Sequence, residues 1–234
     1  MALLVRSWNL FHGNACPPRR RSYLREMVEL ASDDAPDVLC VQEVPVWAVP
    51  KLAEWSGMRS FPAIARRGVH WTTLAGRATR LHNGLLRSAI CGQANAILVS
   101  GEHETEDLGA TQISGLGHER RVCHAIRVAG VVVSNMHLSS SGHHQQGELD
   151  HVLEFVQSRA HPGEAVVIAG DLNFHDPVLL GFSPPGPGID HVLVRGAPAT
   201  PLDVYSGAGE RGRQGAIVRR RVRGRIRQDD LHGA

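Results

Sequence analysis

The chain has no uninterrupted apolar stretch near the roughly 20 residues that a membrane helix needs, so no membrane insertion is expected. Cysteine is scarce: Cys16, Cys40, Cys91 and Cys123 lie far apart with no CxxC pair. That spacing suits neither a zinc site nor a dense disulfide framework, and predicts reduced thiols in a core. The first residues, MALLVRSWNL, show no basic leader before an apolar block and no small-residue cleavage site. No secretion signal is read there, and the cytoplasm is the expected compartment. A basic face is missing as well. Residues 211–227 hold eight arginines and no acid, and taking those eight charges from the overall +2 leaves the remainder at −6. Charge therefore gives no sign of polyanion binding by the body of the chain. Ser139 to Ser141 form no GxSxG elbow, which argues against a serine hydrolase. Gly207, Gly209 and Gly212 spell GxGxxG, but an arginine run follows them and no strand precedes them, so dinucleotide binding is unsupported.

What remains is a 234-residue chain, 42% hydrophobic and 21% charged, long enough for one well-buried core. No repeat and no linker divides it. Residues 165–174, AVVIAGDLNF, are the most informative stretch. A short apolar run stopped by Gly170 reads as a buried strand. Alternation then puts Asp171 and Asn173 on one side and Leu172 on the other. A carboxylate and an amide sharing a strand end suit proton transfer and the holding of an oxygen, although Asp and Asn also favour turns on their own account.

Other strands are expected at 3–10, 37–43, 93–100 and 189–194, and a hairpin at 122–128 and 131–138 around Ala129 and Gly130. Helical spacing predicts a helix capped by Ser22 with Leu24, Met27, Val28 and Ala31 on one face, and another over 147–160. Residues 46–58 read as a short helix or turn interrupted by Pro50, 59–90 as strands joined by an Arg-rich loop, and 101–118 as a loop or edge hairpin. From residue 197 the patterning weakens, so the body is taken as 1–196 and 197–234 as an atypical Arg-rich segment, disordered or altered.

Polar residues close these strands: Asn9, Glu43, His137 and the Asp171/Asn173 pair, with Asp190 and His191 at the head of another. One such end is commonplace, whereas five suggest a convergent site. His143, His144 and His151 suggest a transition-metal site less well than they suggest solvated surface. Trp47, Trp55 and Trp71 suit packing better than base stacking.

The ordered set SWNL, VQEV, NMHL, GDLNF and IDHVLV resembles the endonuclease/exonuclease/phosphatase superfamily, the DNase-I-like phosphoesterases, over residues 3–194. The resemblance implies an α/β (α+β) four-layer sandwich, two mixed β-sheets face to face with helices outside. It implies a phosphoesterase, nuclease-like before others, that uses Mg²⁺ or alternatively Mn²⁺ and acts on a phosphorylated substrate, with nucleic acid among the candidates. It places Asn9, Glu43 and Asp171 at the metal, and Asn95, His137 and Asn173 on the substrate. His137, Asp171, Asn173, Asp190 and His191 form the catalytic set, with Asp171 orienting or deprotonating water. Oligomeric state is not legible.

One departure stands out. The family closes with a strand ending Ser-Asp-His, and nothing in this chain matches it; the only histidine after His191 is His232, preceded by Leu231. GIDHV could be read as that motif, but it fits the penultimate strand better. A catalytically impaired relative that binds phosphate or nucleic acid is therefore the alternative function.

Overall fold

Period-two alternation puts one apolar row of the central strands inward, and two sheets form by burying those rows against each other. The computed structural model describes residues 2–14, 22–67, 91–140, 142–205 and 217–223. The strands are β1 (Ala2–Asn9), β2 (Val38–Val44), β3 (Arg59–Arg66), β4 (Gln93–Val99), β5 (Thr105–Gln112), β6 (Val122–Val128), β7 (Val131–His137), β8 (Ala165–Asp171), β9 (Asp190–Arg195), β10 (Ala199–Tyr205) and β11 (Ile217–Arg223). Among the described residues the helices are α1 (Leu24–Ser32), α2 (Leu52–Ser56) and α3 (Gly142–Gln157), with 3₁₀ turns at Phe11–Gly13 and Val46–Lys51.

One sheet runs β10-β11-β1-β2-β4-β3 and the other β5-β6-β7-β8-β9. Each is mixed, with one parallel pair, β1–β2 and β7–β8, among antiparallel neighbours. Three apolar clusters mark the interfaces between four layers. Leu3, Val5, Val38, Ile97 and Val99 meet Ile126, Val133, Val167 and Val192 between the sheets. Leu24, Val28 and Ala31 of α1 cover Leu39, Val41 and Leu98 on one outer face. Leu149, Val152 and Val156 of α3 cover Val132, Val166 and Ile168 on the other. Each such side chain contributes roughly 1.5–3 kcal/mol relative to exposure, so these interfaces carry the fold. The expected four-layer sandwich is what forms. Among the described residues no helix is long and apolar enough to cross a membrane.

Several local expectations change. Of the two readings of 101–118, the edge hairpin is the one that forms, with residues 105–112 paired to β6. Helix α1 is capped at Tyr23 with no side-chain hydrogen bond, because Ser22 Oγ meets only the Leu24 N–H, at 3.4 Å. Helix α3 begins at Gly142, ahead of its apolar periodicity, because its first turns are held by buried polar contacts. Strands β10 and β11 join β1 within the segment expected to be disordered or altered, and Arg220 there is buried against Ser183 and the Pro184 carbonyl. Cys40 and Cys123 are buried free thiols and Cys91 is buried, whereas Cys16, Trp71 and the Arg-rich loop fall outside the described residues. Trp47 and Trp55 meet edge to face, half-buried beside α1 and α2. The β6–β7 hairpin turns at Ala129 and Gly130, both with positive φ (46° and 72°).

Candidate functional site

Inside the sandwich, the inward row of six strands changes from apolar to polar toward the same end. Leu3 and Val5 give way to Ser7 and Asn9, Val38 and Cys40 to Gln42, and Val99 and Ile97 to Asn95 and Gln93. Val131 and Val133 lead to Asn135 and His137, Val167 and Ala169 to Asp171, and Val194 and Val192 to Asp190. Where the rows change, a buried bridge joins the sheets: Gln42 Nε2 donates to Asn135 Oδ1 (2.7 Å) and Ser7 Oγ (3.1 Å). Asn135 Nδ2 in turn donates to the carbonyls of Val41 and Ala96. Beyond that bridge the polar ends meet.

Glu43 arrives through a bulge. After inward-facing Gln42, a regular strand would turn it out beneath the helices. Instead the β2–β4 register shifts between Val41 and Val44, and Glu43 takes φ 53°. A non-glycine residue held there costs about 1–3 kcal/mol, strain that concentrates at functional sites. The bulge brings Glu43 Oε1 within 3.3 Å of Asn9 Nδ2, which also donates to Asp171 Oδ2 at 2.9 Å. Asn9 thus bridges the two acids through its amide nitrogen, while its Oδ1 accepts from the Phe11 N–H at 2.9 Å.

His137 spans the same acids from the second sheet, with Nδ1 3.8 Å from Glu43 Oε1 and Nε2 3.7 Å from Asp171 Oδ2. Burial, with the nearby charges of Arg121 and His12, pushes its pKa well below the usual imidazole range. A neutral ring receiving the Gln93 Nε2–H at Nδ1 (3.1 Å) carries its own proton on Nε2, toward Asp171. These contacts are dipolar rather than ionic. Asp171 reaches the mouth because β8 lies tight against β7 at Gly170, where a Cβ would stand 2.0 Å from the Met136 carbonyl oxygen.

The acids are held partly against their charge. Burial raises Glu43 to about 7, with Asp171 adding to the rise and the Asn9 hydrogen bond opposing it. Burial likewise raises Asp171, against hydrogen bonds from Asn9 and the Asn173 backbone and the charge of Arg121.

Asn173 lies beside the group, its N–H on Asp171 Oδ1 (2.9 Å) and its Nδ2 on the Leu138 carbonyl (2.9 Å). Asp190 faces Asp171 across the β8–β9 ladder. The structure does not bring His191 or Asn95 to the cluster. His191 shares the outer row of β9 with Leu193, and its Nε2 lies 2.7 Å from the Phe174 carbonyl. Asn95 is one inward step deeper than Gln93, its Nδ2 on the Val122 carbonyl. Of the surface histidines, His144 stacks on His118 and His151 Nδ1 lies against the Ile113 carbonyl.

Three site residues escaped the sequence reading. Gln93, rather than Asn95, reaches His137 from β4. Arg121, buried at the head of β6, supplies a positive charge felt by Glu43, Asp171 and His137. His12 sits in a left-handed turn (φ 52°) with Nε2 3.5 Å from Glu43 Oε2. Their only sequence signals are a buried-strand glutamine, a charge abutting an apolar alternation, and an imidazole three residues after Asn9.

The same fold recurs in solved structures. An endonuclease/exonuclease/phosphatase from Beutenbergia cavernae matches with TM-score 0.63 at 17% identity, over 95% of this chain and 72% of that one. Truncated TDP2 from Caenorhabditis elegans matches with 0.58 at 17%, over 95% and 97%. A mannosyl-6-phosphatase from Bacteroides thetaiotaomicron matches with 0.55 at 14%, over 96% and 100%. No curated protein sequence matches the chain significantly. The profile of one family does match, over residues 7–213, and with the strand-end cluster it places the chain: this protein belongs to the endonuclease/exonuclease/phosphatase family.

Proposed function

We propose that the protein hydrolyses a phosphoester, a nuclease-like diester before a monoester, by in-line attack of water. The observation that carries this reading is the meeting of Asn9, Glu43, His137 and Asp171, from four strands of two sheets, within 2.9–3.8 Å contacts.

The residues suit Mg²⁺, with Mn²⁺ as the alternative. Two carboxylates lie within reach of one amide, and burial raises the proton affinity of both. Among the described residues no set of three or more His, Cys, Asp or Glu side chains is arranged to hold a metal ion. Glu43 and Asp171 would hold the ion with water and substrate oxygens, a donor set that Mg²⁺ accepts, and Asn9, whose Nδ2 donates to both carboxylates, would orient them. When bound, the ion would neutralise charge on the phosphoryl and leaving oxygens.

The remaining work belongs to side chains. Asp171, its proton affinity raised by burial, takes the proton from the attacking water. The Nε2–H of His137 and the free N–H of the Asn173 amide donate to equatorial oxygens, and Arg121 adds a fixed positive charge beside them. Asp190 is the second acid next to Asp171. His191, on the outer row, has no role in this scheme.

The alternative, a phosphate-binding relative that no longer hydrolyses, is favoured by one observation. Strand β11 lies beside β1 as a closing strand, yet residues 192–231 contain no histidine to end it. The test is a panel of DNA, RNA, a sugar phosphate and bis(p-nitrophenyl) phosphate with Mg²⁺. Turnover abolished by EDTA and lowered about 10²–10⁴-fold by Asp171→Asn is expected. Phosphate binding without turnover, unaffected by Asp171→Asn, selects the alternative.

A further inference from the structure

Outside the acid cluster, two buried polar side chains on the first turns of α3 tie together the loops that leave β7 and β8. Gln145 and Glu148 are three residues apart and share one helix face. Both are almost fully buried. Glu148 accepts from the Ser139 N–H at 2.7 Å through Oε2 and from Ser139 Oγ at 2.5 Å through Oε1. Gln145 Nε2 donates to two carbonyls, Ser139 at 3.0 Å and Asn173 at 2.6 Å. One side-chain amide therefore links the residue two places beyond His137 to the residue two places beyond Asp171.

Asn173 needs such a link. Its φ is 49°, a left-handed conformation that a non-glycine residue keeps only where its surroundings impose it. In that conformation its N–H reaches Asp171 Oδ1 and its Nδ2 reaches the Leu138 carbonyl. If the backbone relaxed, both contacts would go, and with them the orientation of the Asp171 carboxylate. Helix α3 itself is seated by Leu149, Val152 and Val156, so its packing does not depend on Gln145. We infer that Gln145 is a positioning residue, which fixes Asn173, and through it Asp171, by donating to the Asn173 carbonyl while braced on Ser139.

This assignment rests on the phosphoester reading only for its kinetic test. With the full chain, Mg²⁺ and bis(p-nitrophenyl) phosphate, Gln145→Ala lowers kcat about 10- to 100-fold, the cost of a catalytic group misplaced by about an ångström, while KM is held. Its Tm stays within about 4 °C of wild type. Gln145→Glu, which turns an acceptor toward both carbonyls, is at least as slow. Because part of the effect of Gln145 runs through the Asn173 side chain, the losses in the Gln145→Ala/Asn173→Ala double variant fall short of the product of the two single losses. A Gln145→Ala kcat within about twofold of wild type, or losses that multiply in the double variant, overturns the assignment. Hydrogen exchange on the same variants is independent of turnover. Faster exchange at 138–140 and 172–175, with 165–170 unchanged, supports it, and unchanged exchange in both loops overturns it. A wild-type chain inert toward every phosphoester defeats the proposed function instead, and the exchange result then decides the role of Gln145.

Discussion

Replacing Glu43 by glutamine removes a charge and keeps the shape, so it isolates what the ionised carboxylate does to the fold. Burial, with Asp171 adding and the Asn9 hydrogen bond opposing, carries this carboxyl from 4.5 to about 7. An acid with a higher pKa folded than unfolded holds its proton more tightly in the folded chain. It weighs little on stability below the unfolded value, and its penalty grows as pH rises, complete above about 7. A shift of that size corresponds to about 3 kcal/mol. Glutamine keeps an oxygen for Asn9 Nδ2 and cannot ionise. In EDTA at pH 8, Glu43→Gln should therefore be more stable than wild type by up to about 3 kcal/mol, or roughly 6–12 °C in Tm for a domain of this size. At pH 5 the gap should shrink to about 1 kcal/mol. Urea unfolding followed by circular dichroism measures both, and Mg²⁺ should stabilise wild type but not the variant. A variant no more stable than wild type at pH 8, or an equal gap at pH 5, refutes the reasoning.

Three further outcomes are expected. Because Glu43 must lose its proton to bind a cation, Mn²⁺ affinity measured by electron paramagnetic resonance should fall by up to about tenfold per pH unit below about 7. Asp171→Asn should reduce kcat on a phosphodiester by about 10²–10⁴-fold with an unchanged circular dichroism spectrum. Gly170→Ala should destabilise by about 2–4 kcal/mol in chemical denaturation, since φ is 147° and its Cβ would meet the Met136 carbonyl oxygen at 2.0 Å.

Alternation carried the sequence reading of the fold and of the site's general location. Strands ending in Asn9, His137 and Asp171 were legible because inward rows of β1, β7 and β8 keep period two to their last residue. Depth along a row was not legible: Asn95 and Gln93 face the same way, and only the register of β4 against β3 and β2 puts Gln93 beside His137. The bulge at Glu43 leaves no mark in VQEV. Glu43 was legible as the polar end of a buried strand, but alternation after Gln42 alone would turn it away from the site. His12 lies in a turn, where no periodicity operates. Strand β5 was legible only as one of two readings, loop or edge hairpin, because TEDLGATQ is a largely exposed edge that needs no apolar row, and β11 was hidden because its arginines mask the pairing of its backbone with β1.

The turn at Ala129 and Gly130 joins β6 to β7 at the pole of the sandwich remote from Asp171, since β7 and β8 run parallel from Val131 and Ala165 toward His137 and Asp171. It offers a natural handle. A cysteine tether or short peptide tag grafted there would anchor the molecule to a bead with its mouth facing solution. Even a long polymer could then approach unhindered, and one immobilised preparation could be washed through successive candidate substrates.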